Sequence, residues 1–248
     1  MKKVFYAFVL LAAVAAAFSS CKKDDNKDDN KIVKRLTQCG DQWDVYVFSY
    51  DSDGKIAKVN RNEGEKVWTF NWTENKADYA EKKKDGTMEN LDPWTFTLTS
   101  DGYLAEFSNN WGDTWKMTYS DGYLTKIERK DKGTVVANCT WVDGDLRKWS
   151  RFESETEQWK IQTFLPDENV GGIFPDATDK AGVGRWMFEL GLMGKPSKHL
   201  LDVAGWEGST SSAVQTYEKD ADGYVTKVNK VYGTDEPEVY EYAWEVVK

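Results

Sequence analysis

The chain has 248 residues, with 33 basic and 42 acidic side chains, a formal net charge of −9, one histidine, three cysteines and twelve tryptophans. An acidic balance disfavours nucleic acid and anionic lipid surfaces as partners. A single imidazole excludes a zinc site built on several histidines, and the length suffices for one sizeable core.

Lys2 and Lys3 open the chain, and an unbroken run of apolar or small residues follows from Val4 to Ser20. That is the layout of a secretory leader. The run is roughly seventeen residues, the lower edge of what spans a bilayer, so a retained anchor is the competing reading. Cys21 stands at the boundary, and no apolar residue follows it until Ile32. Phe18-Ser19-Ser20-Cys21 resembles a lipobox, with Phe18 where Leu or Val is usual. The expected layout is a signal peptide over 1–20, a lipidated Cys21, a disordered Asp/Lys-rich tether over 21–31 and a single β-repeat domain over 32–248. Loss of Lys2 and Lys3 leaves 31 basic against 42 acidic residues, a net charge of −11.

Acyl chains on Cys21 would tie the protein to the lipid bilayer, each buried methylene contributing about 0.8 kcal/mol. The tether lacks apolar side chains that could offset the entropy of ordering. Fully extended it reaches roughly 35 Å. Its Asp/Lys run resembles the surface-export signal of Bacteroidetes lipoproteins, and a solvated spacer facing the periplasm is the alternative. The expected location is the outer membrane, lipid-anchored and surface-exposed.

The body repeats a unit marked by Asp-Gly and an apolar residue two places beyond the glycine. The copies lie at Asp53-Gly54, Asp101-Gly102, Asp121-Gly122, Asp143-Gly144 and Asp222-Gly223, with a degenerate copy at Glu74-Asn75-Lys76-Ala77. Asp-Gly between apolar runs predicts a hairpin, because glycine accepts positive φ. Strands before the turns alternate, as in Trp115, Met117 and Tyr119 against Lys116 and Thr118. After the turns, apolar residues stand two and five places beyond glycine: Leu104 and Phe107, Leu124 and Ile127, Leu146 and Trp149, Val225 and Val228. A spacing of three puts them on opposite faces of a regular strand. A bulge near the turn returns both to the core; a sheet covered on both faces is the alternative. Roughly a dozen strands of ordinary length are expected.

The pattern breaks over 166–213. There Val183, Trp186, Leu190 and Met193 share a helical face, and Gly191, Gly194 and Pro196 supply the stop. This predicts one short helix near 180–195, packed on an end or edge of the sheet. The fold class is mainly β: an antiparallel meander of repeated hairpins with that helix inserted.

The units Tyr50-Asp51-Ser52-Asp53-Gly54-Lys55-Ile56 and Tyr119-Ser120-Asp121-Gly122-Tyr123-Leu124 resemble those of Bacteroidetes lipoproteins in a domain family of unknown function with a porin-like fold. The segment Leu190-Gly191-Leu192-Met193-Gly194-Lys195-Pro196-Ser197-Lys198-His199-Leu200 also resembles that family's insertion before its last hairpin. The resemblance implies a strongly curved antiparallel sheet or partly closed barrel and carries no catalytic residues. A membrane pore is not expected, because outward positions include Lys116, Thr118, Lys126 and Lys148.

No cofactor is expected. Asp51-Ser52-Asp53-Gly54 and Asp220-Ala221-Asp222-Gly223 resemble fragments of calcium loops, but the twelfth positions are Asn60 and Asn229, so hairpin turns are the simpler reading. His199 reads as a loop or packing residue. Cys39 and Cys139 could pair in an oxidising compartment, or sit apart as small apolar residues. Exposed tryptophans could stack on sugar rings or a partner's apolar groups. The candidates are Trp111, in the turn-like Asn109-Asn110-Trp111-Gly112-Asp113, with Trp94, Trp68 and Trp72. Three functions stand: a non-catalytic envelope lipoprotein binding a glycan or protein, a structural accessory subunit of an outer-membrane complex, and a carboxylate-dependent hydrolase.

Overall fold

A computed structural model describes residues 32–153, 156–174 and 184–247. The leader, Cys21 and the tether lie outside the described residues, as does Val183.

Sixteen antiparallel strands close into one barrel, each paired with its sequence neighbours and the last with the first. In order they are β1 (Lys34–Gly40), β2 (Val45–Tyr50), β3 (Ile56–Arg61), β4 (Lys66–Asn71), β5 (Lys76–Lys82) and β6 (Met88–Leu98). Then come β7 (Leu104–Ser108), β8 (Thr114–Ser120), β9 (Tyr123–Arg129), β10 (Thr134–Val142), β11 (Asp145–Glu153) and β12 (Thr156–Glu168). After α1 (Arg185–Glu189) the wall resumes with β13 (His199–Trp206), β14 (Ser212–Lys219), β15 (Val225–Tyr232) and β16 (Glu238–Val246). The dozen strands expected become sixteen, because β1 and β16, which close the barrel, and β12 and β13, which flank the insertion, lie outside the six repeat hairpins. Of the strongly curved sheet or partly closed barrel expected, the chain forms the barrel, and closes it fully.

The repeated turns all fall at one end of the barrel, and a bulge follows five of them. In β2–β3 the register slips between Ser49 and Tyr50, in β6–β7 between Thr97 and Leu98, and in β8–β9 between Thr118 and Tyr119. It slips again between Thr140 and Trp141 and between Glu218 and Lys219. The extra residues are Ala57, Ala105, Thr125, Arg147 and Thr226. Each extra residue shifts the side-chain alternation by one, so both apolar positions face inward. Leu104, Phe107, Leu124, Ile127, Val225 and Val228 are all buried. The bulge expected from the spacing is present, and outward positions such as Lys116 and Thr118 are exposed rather than covered.

At the same level the ladder joining one hairpin to the next has run out. Between β7 and β8, for example, pairing extends only to Glu106–Lys116, leaving the Leu104 carbonyl beyond it. A side chain from the next strand takes that carbonyl. Tyr119 donates its hydroxyl to Leu104 O, Tyr50 to Leu36 O and Tyr217 to Leu201 O. Trp72, Trp141 and Trp244 donate their indole N–H to Ile56 O, Leu124 O and Val225 O. All six bonds measure 2.5–2.7 Å. The aromatic body packs on the core while the polar tip satisfies a backbone acceptor that would otherwise stand alone.

The mouth at this end is filled by the insertion. The helix is shorter than expected: it ends at Glu189, and the chain then turns through Gly191 and Gly194, both at positive φ. It does not lie on an edge. Trp186, Met187, Leu192 and Met193 are buried against the barrel's inner face. Residues 192–199 then run across the turns. Leu192 O accepts from Leu104 N, Lys195 N donates to Gly122 O and Lys198 N to Gly144 O. Gly194 is required there: its φ is +99°, and a Cβ would lie 2.7 Å from Gly122 O.

A buried charge network fixes the plug from within. Arg185 donates to Glu189 Oε1 at 3.3 Å and to the Tyr242 hydroxyl at 2.8 Å, and its guanidinium lies 4.1 Å from the Tyr240 ring centre. Tyr242 donates to Glu189 Oε1 at 3.1 Å, and Glu189 Oε2 accepts from Phe174 N at 3.0 Å. Burial pushes the Glu189 carboxyl up, while the Arg185 guanidinium beside it pulls the other way. Burial also raises the Tyr242 phenol, which keeps its proton as a donor.

Two outcomes follow. Tyr119→Phe leaves Leu104 O without its donor and is expected to lower unfolding free energy by about 1–3 kcal/mol in urea titration. Glu189→Leu strands a buried guanidinium and is expected to lose about 3–5 kcal/mol. The double variant Arg185→Met, Glu189→Leu should recover most of that loss.

Candidate functional site

The candidate site is the rim opposite the plug, where two tryptophans project from tight turns. Trp111 is 68% exposed and Trp43 75% exposed, the largest aromatic surfaces offered to water among the described residues. An Asx side chain at the head of each turn holds the backbone by accepting two N–H groups. Asn109 Oδ1 accepts from Trp111 N and Asp113 N at 3.0 Å each. Asp41 Oδ1 accepts from Trp43 N at 2.7 Å and Asp44 N at 2.8 Å.

Each turn is then tied to the neighbouring one by an arginine. Arg129, on β9, pairs with Asp113 and Asp131, and its guanidinium lies 4.6 Å from the Trp115 ring centre. Arg61, on β3, pairs with Asp44. Asn62 completes the Trp43 turn, donating to Trp43 O at 2.9 Å and accepting from Val45 N at 2.9 Å. Arg129 holds the Asp131 carboxyl down at about 2, so this pairing persists through mildly acid pH. The two indoles are therefore displayed on ordered turns. Around the wall they stand about 30 Å apart, six strand spacings at roughly 4.8 Å each.

The other tryptophans singled out from the sequence do not join this rim. Trp68 is 4% exposed, and Trp72 and Trp94 pack against the same core. Trp68 lies 5.4 Å from Trp186 of the plug, 5.6 Å from Trp94 and 5.1 Å from Tyr79. Trp94 also donates its N–H to Asn110 Oδ1 at 3.1 Å, bracing the Trp111 turn from below. Rings spent on the interior present no face to a ligand outside. Trp43 escaped the sequence reading because its turn is headed by Gly40-Asp41, the reverse of the Asp-Gly order that marks the repeat.

The remaining chemical candidates have structural partners. Asp51 Oδ1 accepts from Asp53 N and Lys55 N within its turn. Asp220 and Asp222 both contact Lys34 Nζ, at 2.7 and 2.5 Å, so a lysine ammonium occupies the space between them. No cluster of three His, Cys, Asp or Glu suited to a metal ion occurs among the described residues. His199 is the first residue of β13 rather than a loop residue, and its Nδ1 lies 3.0 Å from the buried Asp145 carboxylate. Cys39 and Cys139 stand free on β1 and β10. Burial pushes the Cys139 thiol up to about 12.

No protein-family model and no curated protein matches the chain. Among solved structures it is similar to a porin-like protein from Bacteroides uniformis. The TM-score is 0.64 at 17% identity, over 87% of this chain and 98% of that one. At that identity the likeness is one of fold, and it agrees with the porin-like architecture implied by the turn units.

Proposed function

We propose that the protein is a non-catalytic lipoprotein of the cell envelope, held to the outer membrane by an acylated Cys21, that binds a glycan or protein partner through its tryptophan-bearing rim. The observation that carries this reading is the polarity of the barrel. Ile32 and Lys34 join the wall at the plug end, where Tyr224 Oη meets Lys34 N at 3.0 Å and Ile32 O at 3.3 Å. Trp43 and Trp111 project from the other end, roughly 20 Å away along strands of ordinary length. A tether leaving from the plug end would turn the indoles away from the lipid surface.

One further feature supports a tethered rather than a spanning barrel. A spanning barrel would show an apolar outer band and a polar lumen. Here the outward side of β8 carries Lys116 and Thr118, while the inside holds Trp68, Phe107, Trp115 and Trp186.

Flat aromatic surfaces on ordered turns suit sugar rings or a partner's apolar groups, because little conformational entropy is lost on binding. Polysaccharide arrays should give binding that falls at least tenfold in Trp111→Ala and Trp43→Ala with the fold unchanged. An empty array would turn the reading toward an accessory subunit, sought by crosslinking in intact cells. Metabolic labelling with an alkyne fatty acid should mark the wild type and leave Cys21→Ser unmarked; an unlabelled wild type sinks the anchor. Protease shaving of intact cells should remove the body, and survival would mean it faces the periplasm.

A further inference from the structure

Between the plug and the wall formed by β9 to β13 lies a cavity outside the rim site. Its walls are mostly apolar: Ile127, Ala137, Trp149 and Phe164 from the strands, with Ile173 and Phe188 from the insertion. By volume it has room for roughly four water molecules, about that of one benzene-sized ring. Barrel interiors are close-packed, and an unfilled space of this size forfeits dispersion contacts along its walls. Ala137 sits on its wall at 2% exposure, where a larger side chain would fill the space.

The lining is not uniformly apolar. Gln162 borders the cavity from β12 and Asn169 from just beyond it, the latter with its amide bonded to Ile173 and Ser197, and Ser197 and His199 border it from the segment that leaves the plug. Ser197 Oγ accepts from Leu146 N at 3.1 Å, which leaves its O–H as a donor. The Asp145 carboxylate is an acceptor 3.0 Å from His199 Nδ1, and in the tautomer that carries its proton there Nε2 is an acceptor. His199 is only a quarter exposed, at the edge of the cavity. A donor at Ser197 and an acceptor at His199 beside a mostly apolar chamber match a hydroxyl group on a small apolar body.

From this we infer that the cavity is a ligand site for a small hydroxylated apolar molecule, a phenol or a short branched alcohol, seated with its ring or chain against Ile127 and Phe188 and its hydroxyl toward Ser197 and His199. The site lies at the barrel end where the plug is tied down by Asp145, so occupancy also braces the plug.

Calorimetric titration of the folded protein with phenol and with benzene tests this, together with methyl NMR of an isoleucine- and leucine-labelled sample. Phenol should bind severalfold more tightly than benzene and shift the Ile127 and Ile173 methyls. Ala137→Phe should abolish binding of both, and Ala137→Leu, a milder filling variant, should weaken it at least tenfold while raising the melting temperature. Ser197→Ala should bring phenol down to the affinity of benzene. Absence of heat and of methyl shifts with either probe overturns the site. Binding unchanged in Ala137→Leu, or shifts confined to outer-surface methyls, overturns it as well. Equal affinity of the wild type for phenol and benzene overturns the hydroxylated class.

Discussion

The fold depends on how it treats a backbone acceptor that the bulges leave stranded. A bulge beside five of the six turns brings two apolar side chains inward, and the inter-hairpin ladder stops at the same level. Left alone, each carbonyl would have to be solvated or bear the penalty of an unmade hydrogen bond. A tyrosine or tryptophan on the next strand resolves this at six places round the wall. The ring contributes apolar contact area and the tip contributes a donor, so one residue serves both the core and the ladder. This accounts for part of the tryptophan content without invoking any ligand.

Letting the ladder open at one end has a second effect. The mouth there is wide enough to admit the insertion, and Trp186 reaches the aromatic stack of Trp68 and Trp94. The plug is then held by two kinds of contact. Backbone bonds to the turns at Gly122 and Gly144 set its height, and the Arg185–Glu189–Tyr242 network sets its rotation. A buried ion pair adds little net stability over apolar packing, but it penalises every arrangement in which the partners separate. The barrel thus has a sealed end and an end with displayed indoles.

Much of this was legible in the residues. The Asp-Gly turns, the alternation before them and the spacing of three after them gave the hairpins and the bulge, because those signals are local. What escaped depended on distant contacts. Closure requires β1 to meet β16, and no local feature of Lys34–Gly40 announces that partner. The helix was overextended because Leu190 and Met193 keep helical spacing, although Gly191 already turns the chain. Burial of Trp68 and Trp94 follows from the plug entering the lumen, which strand patterning alone does not reveal. Trp111 was recognisable from its turn, whereas Trp43 was hidden by a turn headed by Gly40-Asp41, outside the Asp-Gly repeat.

The pairing of Lys34 with Val246 joins the first strand of the barrel to the last. Loop closure on that scale comes late and slowly, since its entropy must be met before the final contacts form. Until then the growing meander has two bare edges, each able to accept a strand from another molecule. The last hairpin to emerge therefore acts as a latch. A chain shortened by β16 would lose one strand of sixteen and leave β1 and β15 bare to other molecules.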